Sequence, residues 1–289
     1  MVVNRNPFCY NNYGMPWKGR TFVKLFISAD IEGTCGIAHW DETEKGRDLY
    51  QHFAAQMSRE VAAACQGAIE AGWNEILVKD AHDSARNIDP NQLPENVRIF
   101  RGWGADPLCM MAGLDKSFDG VVFTGYHSSV GSDANPLAHT MNTRLYSFKI
   151  NGEPASELYI NSLIAAYFGI PVYCVAGDRG LCDWMKTKNI NTVTVPVVEG
   201  FGGGSISPHP AAAVKMIKDS VHAALQMPRE AFMFPMPETV EMCVSFREHQ
   251  LARKGGFYPG ARKIDERTVA FESRDFMDVL KFMMFVVNG

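Results

Sequence analysis

The sequence predicts an α/β protein with a three-layer, mostly parallel sheet domain and a smaller α+β lobe. Two observations support this fold class. Short apolar runs alternate with helical patterns along the first half of the chain, and this βαβ order is typical of a parallel sheet with right-handed crossovers. The chain has 289 residues and is 46% hydrophobic, which is enough for a large buried core.

The first half of the chain contains a long helix between apolar strands. In the helix, apolar side chains recur every three or four residues until Gly72, a residue that commonly follows a helix end. The apolar runs on either side are only four to seven residues long, as is typical of buried strands. We therefore predict strands at 22–28, 75–79, 97–100 and 120–124, and helices at 53–71 and 106–114.

The second half adds further strands and ends in a smaller unit. Asn151 and Gly152 form a strong tight-turn signal after an extended run. Ser156 can cap a helix that ends at Gly169, and Ser207 before Pro208 is typical of another helix start. We predict strands at 144–150, 171–175, 192–198, 239–246 and 268–272, and helices at 156–169, after 207 and at 275–286.

Composition suggests how the chain divides. Residues 227–237 contain three prolines with several Met and Phe residues, as a linker does. We therefore predict an N-terminal extension at 1–21, an α/β domain at 22–226, and a smaller α+β C-terminal lobe at 227–289 packed on the first. The extension is rich in Pro, Gly and Asn and lacks the apolar core of a secretory signal.

Charge and cysteine content narrow the possible partners. The formal net charge of −4 provides no basic surface, so we expect no nucleic acid and no acidic membrane surface as partner. No apolar run is long enough to span a bilayer. The seven cysteines are scattered and odd in number, which favours reduced thiols in a cytoplasmic protein. A small molecule or a short peptide is the expected ligand.

Three predicted strands end in side chains that can bind a metal. The first runs into Asp30 and Glu32, the second into His82, and the strand at 120–124 into His127. Carboxyl ends of parallel strands share one edge, and residues two apart on an extended chain point to the same side. Carboxylates with imidazoles suit Zn²⁺ or a neighbouring divalent metal, and not Ca²⁺. The alternative is that these side chains are simply the polar residues of loops.

Neighbouring residues allow two interpretations each. Asp80 and Asp83 either orient the histidines or are solvated and cap the following segment. Cys35 is more typical of a small buried thiol than of a metal ligand. The glycine-rich run at 201–205 is more typical of a flexible connector than of a phosphate-binding loop, because no Gly-Lys-Ser/Thr follows it. Asp178 and Arg179 either pair with each other or hold a loop at the rim, and a direct role in substrate binding is a further possibility.

Five segments occur in an order that resembles a known family. They are Ser28-Ala29-Asp30-Ile31-Glu32-Gly33, Lys79-Asp80-Ala81-His82-Asp83-Ser84, Gly125-Tyr126-His127, Ala138-His139-Thr140-Met141 and Gly152-Glu153-Pro154-Ala155-Ser156-Glu157. Together they resemble the D-aminopeptidases of the DppA type, peptidase family M55. The resemblance runs from about residue 23 to the C-terminus. Ala138 and Thr140 differ from the Ser that the family often has there, which bears on substrate specificity.

The resemblance implies a site with two Zn²⁺ ions per chain, or with another divalent metal. It also implies that His139 is a catalytic residue near the metals. His139 would stabilise the oxyanion or pass a proton to the leaving amine, and acting as the nucleophile is a third possibility. The implied ligands are Asp30 as the bridge between both ions, Glu32 and His82 on one ion, and His127 and Glu157 on the other.

On this basis we expect a zinc-dependent aminopeptidase that hydrolyses short peptides with N-terminal D-amino acids through a metal-activated water. The resemblance also implies a homo-oligomer, such as a ring or decamer. Two alternatives remain open. One is a dinuclear metal amidase or phosphoesterase that acts on another small substrate, and the other is a non-catalytic, metal-stabilised peptide-binding protein.

Overall fold

A computed structural model describes residues 23–289, so the predicted extension at 1–21 lies outside the described residues. The strands in chain order are β1 (Lys24–Ala29), β2 (Glu75–Asp80), β3 (Val97–Phe100), β4 (Gly120–Tyr126), β5 (Leu145–Ile150), β6 (Glu153–Pro154), β7 (Val172–Asp178), β8 (Val193–Phe201), β9 (Gly204–Ile206), β10 (Val240–Phe246), β11 (Arg262–Lys263) and β12 (Thr268–Ser273). The helices are α1 (Tyr50–Glu70), α2 (Glu157–Tyr167), α3 (Arg179–Lys188), α4 (Pro210–Ala224), α5 (His249–Gly255) and α6 (Phe276–Phe282).

Two sheets form the framework. The larger has seven strands in the order β3-β2-β1-β4-β7-β8-β9, with all neighbours parallel except β8 and β9. The smaller has five antiparallel strands in the order β11-β12-β10-β5-β6. These sheets confirm the predicted α/β class, with a mostly parallel sheet and a smaller α+β part.

The central strand β1 is buried on both faces, as expected for a parallel strand covered on both sides. Leu25 and Ile27 face a core made with α1 and α4, which pack against each other. Phe26 points to the opposite face, where α2 and the five-stranded sheet form a second core. The layers are therefore a helix pair, the parallel sheet, and α2 with the second sheet.

The second sheet crosses the predicted division between domain and lobe. β5 and β6 precede residue 227, yet β5 pairs directly with β10, with Met242 opposite Ile150. The boundary at 226/227 stays a prediction. The pairing implies that residues 145–154 pack with the C-terminal lobe.

The structure differs from the prediction in several local elements. The helix predicted at 106–114 is wrong, because only a 3₁₀ turn at Cys109–Met111 forms there. Ala105 and Cys109 have positive φ angles of 54° and 51°, a left-handed conformation that cannot continue a right-handed helix. Two helices, α3 and α5, were not predicted.

None of the helices in residues 23–289 is long and apolar enough to cross a membrane.

The start of α4 also differs. Ser207 is not its N-cap; His209 is, and the His209 ring accepts a hydrogen bond from the amide of Ala211. Pro210 takes the first helical position, where a missing N–H costs nothing. The hydroxyl of Ser207 instead accepts a hydrogen bond from the amide of Gly36, at 3.0 Å. The glycine-rich residues 201–205 form the end of the β8–β9 hairpin.

Candidate metal centre

The strand order places the candidate ligands side by side. β1 lies between β2 and β4, and all three are parallel, so their carboxyl ends meet at one edge. Asp30 follows β1 directly, His82 lies two residues beyond β2, and His127 follows β4. Glu157 opens α2 just after its cap, Ser156, at a helix end that favours a negative charge.

Two glycines allow these strand ends to approach each other closely. The amide of Gly33 donates to the carbonyl of Gly125 at 2.8 Å. A Cβ on Gly33 would lie 2.0 Å from the carbonyl oxygen of Tyr126, and one on Gly125 would lie 2.0 Å from that of Asp30. Gly125 also has a φ of 68°, which favours glycine. Side chains at these positions would push the ligand loops apart.

The ligand atoms form two groups that share Asp30. Asp30 Oδ1 lies 3.4 Å from Nδ1 of His82, and Asp30 Oδ2 lies 3.5 Å from Nε2 of His127. The two oxygens of one carboxylate therefore face different histidines. Within each group the ligand atoms lie within 4.8 Å of one another. The groups are Asp30, Glu32 and His82, and Asp30, His127 and Glu157.

Glu32 and Glu157 complete the two groups from opposite sides. Glu32 Oε1 lies 3.2 Å from Nδ1 of His82, and Glu157 Oε2 lies 3.5 Å from Nε2 of His127. All of these side chains are buried. Glu32 Oε2 and His127 Nε2 have no hydrogen-bond partner, although buried polar atoms are normally paired. These unpaired atoms are what a bound cation would satisfy.

His139 lies beside both groups. Its ring stacks on the ring of His127, with centroids 4.3 Å apart and planes 15° apart. Nε2 of His139 lies 3.9 Å from Glu32 Oε1 and 3.8 Å from Glu157 Oε1. Glu32, His127 and His139 form a third possible metal-binding group. The position thus allows His139 to act on a bound substrate or to serve as a ligand.

Backbone carbonyls orient all three histidines. A ring nitrogen of each lies at hydrogen-bond distance from a carbonyl oxygen: 3.0 Å for His82 and Thr43, 3.0 Å for His127 and Ser128, and 2.9 Å for His139 and Leu137. A carbonyl oxygen only accepts hydrogen bonds, so the ring nitrogen beside it carries the proton. The second ring nitrogen of each histidine faces the carboxylates. This is how a metal-binding imidazole is usually held.

Asp80 shapes the loop that carries His82. Its carboxylate accepts hydrogen bonds from the amides of Asn87 and Ile88 and from the side chain of Asn87. The Asn87 side chain also donates to the carbonyl of His82, at 2.7 Å. Neither Asp80 nor Asp83 bonds directly to a histidine ring, so of the two interpretations offered for them, the direct orienting one is wrong.

The pKa directions follow from burial and mutual attraction. Burial and the charge of Glu32 raise the pKa of Asp30 well above its usual value. Burial alone would raise the pKa of Glu157, but the neighbouring His127 and His139 together outweigh it and lower the value to about 2. Burial likewise opposes the charge on His82, yet the adjacent carboxylates hold its pKa well above its usual value.

The pKa shifts of the buried carboxylates and ligand histidines indicate that the cluster stabilises positive charge at its centre. His127 behaves like His82, since burial lowers its pKa but Glu157, Glu32 and Asp30 together outweigh that effect and raise the pKa well above its usual value. His139 differs, because burial and the charge of His127 lower its pKa. Buried carboxylates are unfavourable unless positive charge compensates them, and a divalent cation provides that charge while displacing imidazole protons. The donor set therefore fits a metal.

Other side chains near the site have structural roles. The Cys35 thiol is buried and donates to the carbonyl of Pro208, and burial raises its pKa to about 11, so it stays protonated. Asp178 caps α3 and accepts hydrogen bonds from the amide and hydroxyl of Ser128. Arg179 pairs with Glu199 at 2.7 Å and not with Asp178.

A cavity of about 250 Å³ opens onto the ligand cluster. Its volume is below the range of roughly 300–1,000 Å³ typical of sites for drug-sized ligands. Its apolar wall has no signal in the sequence, because Trp103 and Met141 lie in irregular segments and Met110 lies in the 3₁₀ turn at Cys109–Met111. The lining residues are Asp30, Glu32, Ala81, His82, Asp83, Trp103, Met110, His139, Met141 and Glu157.

Comparison with known proteins supports the same kind of site. A family model described as Peptidase_M55, D-aminopeptidase, matches residues 23–285. A D-aminopeptidase of Bacillus subtilis (strain 168) is 26% identical over 268 residues, which cover 92% of this chain and 97% of that protein. The solved structure of the Zn-dependent D-aminopeptidase DppA from Bacillus subtilis, a self-compartmentalizing protease, is similar with a TM-score of 0.85 at 25% identity, covering 92% of this chain and 97% of that one.

Proposed function

This chain belongs to the D-aminopeptidases of peptidase family M55, and on that basis we propose that it uses two zinc ions to release N-terminal D-amino acids from short peptides. It is a metallopeptidase. The shared position of Asp30 supports the two-ion site, because its two oxygens face His82 and His127 separately. Another divalent metal would suit the same oxygen and nitrogen ligands. The proposed ligands are Asp30, Glu32, His82, His127 and Glu157.

When bound, the ions supply a Lewis acid for the peptide carbonyl and activate a water at neutral pH. The chain supplies the rest. Asp30, Glu32 and Glu157 reduce the positive charge of the site, and the carbonyls of Thr43 and Ser128 fix the two ligand histidines. The cavity beside the ligands has a volume of about 250 Å³, which suits the end of a peptide chain.

We assign His139 a role in the chemistry. Its Nδ1 is held by the carbonyl of Leu137, so Nε2 faces the cavity. The Thr140 hydroxyl donates to the carbonyl of Ala155, which ties this loop to the start of α2. Because Nδ1 holds the proton of the neutral ring, Nε2 first takes a proton from the attacking water, and it can then donate a hydrogen bond to the developing oxyanion or pass that proton to the leaving amine.

The proposed function is tested by elemental analysis together with the hydrolysis of D-Ala-p-nitroanilide and its L-isomer. We expect two zinc ions per chain and cleavage of the D-isomer in preference to the L-isomer. The zinc-depleted protein, restored by added zinc, is the control. Failure to cleave either isomer with both ions bound would contradict the aminopeptidase proposal.

We propose that the chain assembles into a closed homo-oligomer, such as a ring or decamer, because its solved relative is a self-compartmentalizing protease. Phe201, Ile206 and Phe257 are exposed apolar side chains that offer contact surface. We expect an oligomer by light scattering at micromolar concentration, and a monomer there would contradict the proposal.

We also propose a cytoplasmic location, with which the six unpaired cysteines of residues 23–289 agree.

A further inference from the structure

The cavity at the metal centre has one apolar side. Trp103, Met110 and Met141 line it, and Trp103 is 44% exposed although it lies beside the buried ligand cluster. We propose that these three side chains form the subsite for the side chain of the substrate's N-terminal D-residue and select large apolar side chains over small ones. This inference rests on the proposed aminopeptidase function.

The indole of Trp103 is held rigidly. Its Nε1 donates to the carbonyl of Asp83 at 2.7 Å, so its only polar atom is occupied. The ammonium group of Lys79 lies 4.5 Å from the centre of the indole ring. The free part of the indole is therefore an apolar surface, which suits an apolar partner.

Lys79 acts as a positioning residue for the indole. It is fully buried on β2, and its ammonium group also lies 4.9 Å from the centre of the Phe100 ring. It donates to the carbonyls of Asp80 and Gly102, the latter at 2.9 Å. A buried cation close to two aromatic rings, with two of its three N–H donors bonded to carbonyls, holds the rings in place. The wall is thus formed before any substrate arrives.

Both methionines are anchored, Met110 through its sulfur and Met141 through its backbone amide. Met110 is buried, and its sulfur accepts a hydrogen bond from the side chain of Asn161 at 3.6 Å. Met141 has a φ of 64°, and its amide donates to Glu157 Oε1 at 2.6 Å. Thioethers adapt to irregular apolar side chains and make favourable contacts with aromatic rings. This surface accepts aliphatic and aromatic groups of different shapes.

The position of the subsite points to the N-terminal residue. Trp103 is tied to Asp83, next to ligand His82, whereas Met141 is tied to ligand Glu157, so the apolar side chains flank the ligand set. An aminopeptidase must place the carbonyl of the first residue at the metals. A volume of about 250 Å³ is enough for one residue, whose side chain would lie against the apolar wall.

Two matched variants separate the apolar surface from the hydrogen bond. Trp103→Gln keeps an N–H donor for the Asp83 carbonyl but removes the ring, and Trp103→Phe keeps a ring but removes the donor. We measure kcat/KM of the zinc-loaded enzymes for D-Leu-p-nitroanilide and D-Ala-p-nitroanilide. The ratio should favour D-Leu in the unmodified protein, fall about tenfold or more in Trp103→Gln, and stay within about threefold in Trp103→Phe. Tyr146→Gln, at an exposed aromatic on β5, should leave it unchanged.

The proposal would be overturned if the ratio of the two kcat/KM values fell in Trp103→Phe but stayed unchanged in Trp103→Gln. Selectivity would then depend on the hydrogen bond and not on the apolar surface. Equal losses for both substrates in Trp103→Gln would also overturn it. Trp103→Gln decides alone if Trp103→Phe does not fold by circular dichroism, and the binding of D-leucine and D-alanine by the unmodified protein decides if Trp103→Gln does not fold.

Calorimetry with free D-leucine and D-alanine provides a readout without turnover. The zinc-loaded unmodified protein should bind D-leucine more tightly, and Trp103→Gln should lose that difference. If the unmodified protein cleaves neither anilide, the proposed function fails, while calorimetry still decides the subsite. Equal binding of both amino acids by the unmodified protein would overturn the subsite.

Discussion

Asp30→Ala is expected to lose both metal ions and almost all peptidase activity. The two oxygens of Asp30 face His82 and His127 separately, so its removal takes one ligand from each group. The metals supply several kcal/mol of transition-state stabilisation, and we expect kcat/KM to fall by about 10³-fold or more. Elemental analysis after gel filtration, together with D-Ala-p-nitroanilide turnover, measures both effects.

His82→Ala is the matched comparison. His82 belongs only to the group with Asp30 and Glu32, so this variant should keep part of the metal in the group of Asp30, His127 and Glu157. Circular dichroism checks that both variants fold. Full metal occupancy in Asp30→Ala would contradict the bridging role of Asp30.

His139→Ala is expected to keep both metals and a similar KM while kcat falls by about 10²-fold or more, the usual loss for a general acid–base or oxyanion group. His139 stacks on His127 but lies outside the two groups that share Asp30. Its Nε2 is 3.8 Å or more from the Glu32 and Glu157 oxygens, which leaves it available to a substrate. Metal content and steady-state kinetics of the same preparation separate binding from chemistry.

His52→Ala, at an exposed position on α1, is the control and should change neither metal content nor kcat. Loss of metal in His139→Ala would make His139 a ligand, in agreement with the third group of Glu32, His127 and His139. An unchanged kcat would remove His139 from the mechanism.

Local chain chemistry explains which elements were predictable. The apolar runs of β1, β2 and β4 are continuous because both faces of the parallel sheet are covered, and such runs can be recognised without knowing their neighbours. The helix α1 can likewise be predicted from the spacing of its apolar residues. The conformation of the segment at 106–114 cannot be predicted in this way, since the positive φ angles of Ala105 and Cys109 depend on the surrounding structure.

The candidate site divides in the same way. Asp30, Glu32, His82 and His127 stand out because each closely follows an apolar strand. Glu157 and His139 have no such signal, since one opens a helix and the other lies in a loop, so their assignment depended on the family resemblance.

The α/β class and the strands that end in possible ligands can be recognised from the sequence, because these properties depend on residues close together in the chain. The tertiary structure places β1 between β2 and β4, which brings Asp30 between His82 and His127. It also decided that backbone carbonyls orient the histidines and that Trp103 lines the cavity. These contacts join residues far apart in sequence, and they form only when the packed core fixes the strand order and the loops between strands.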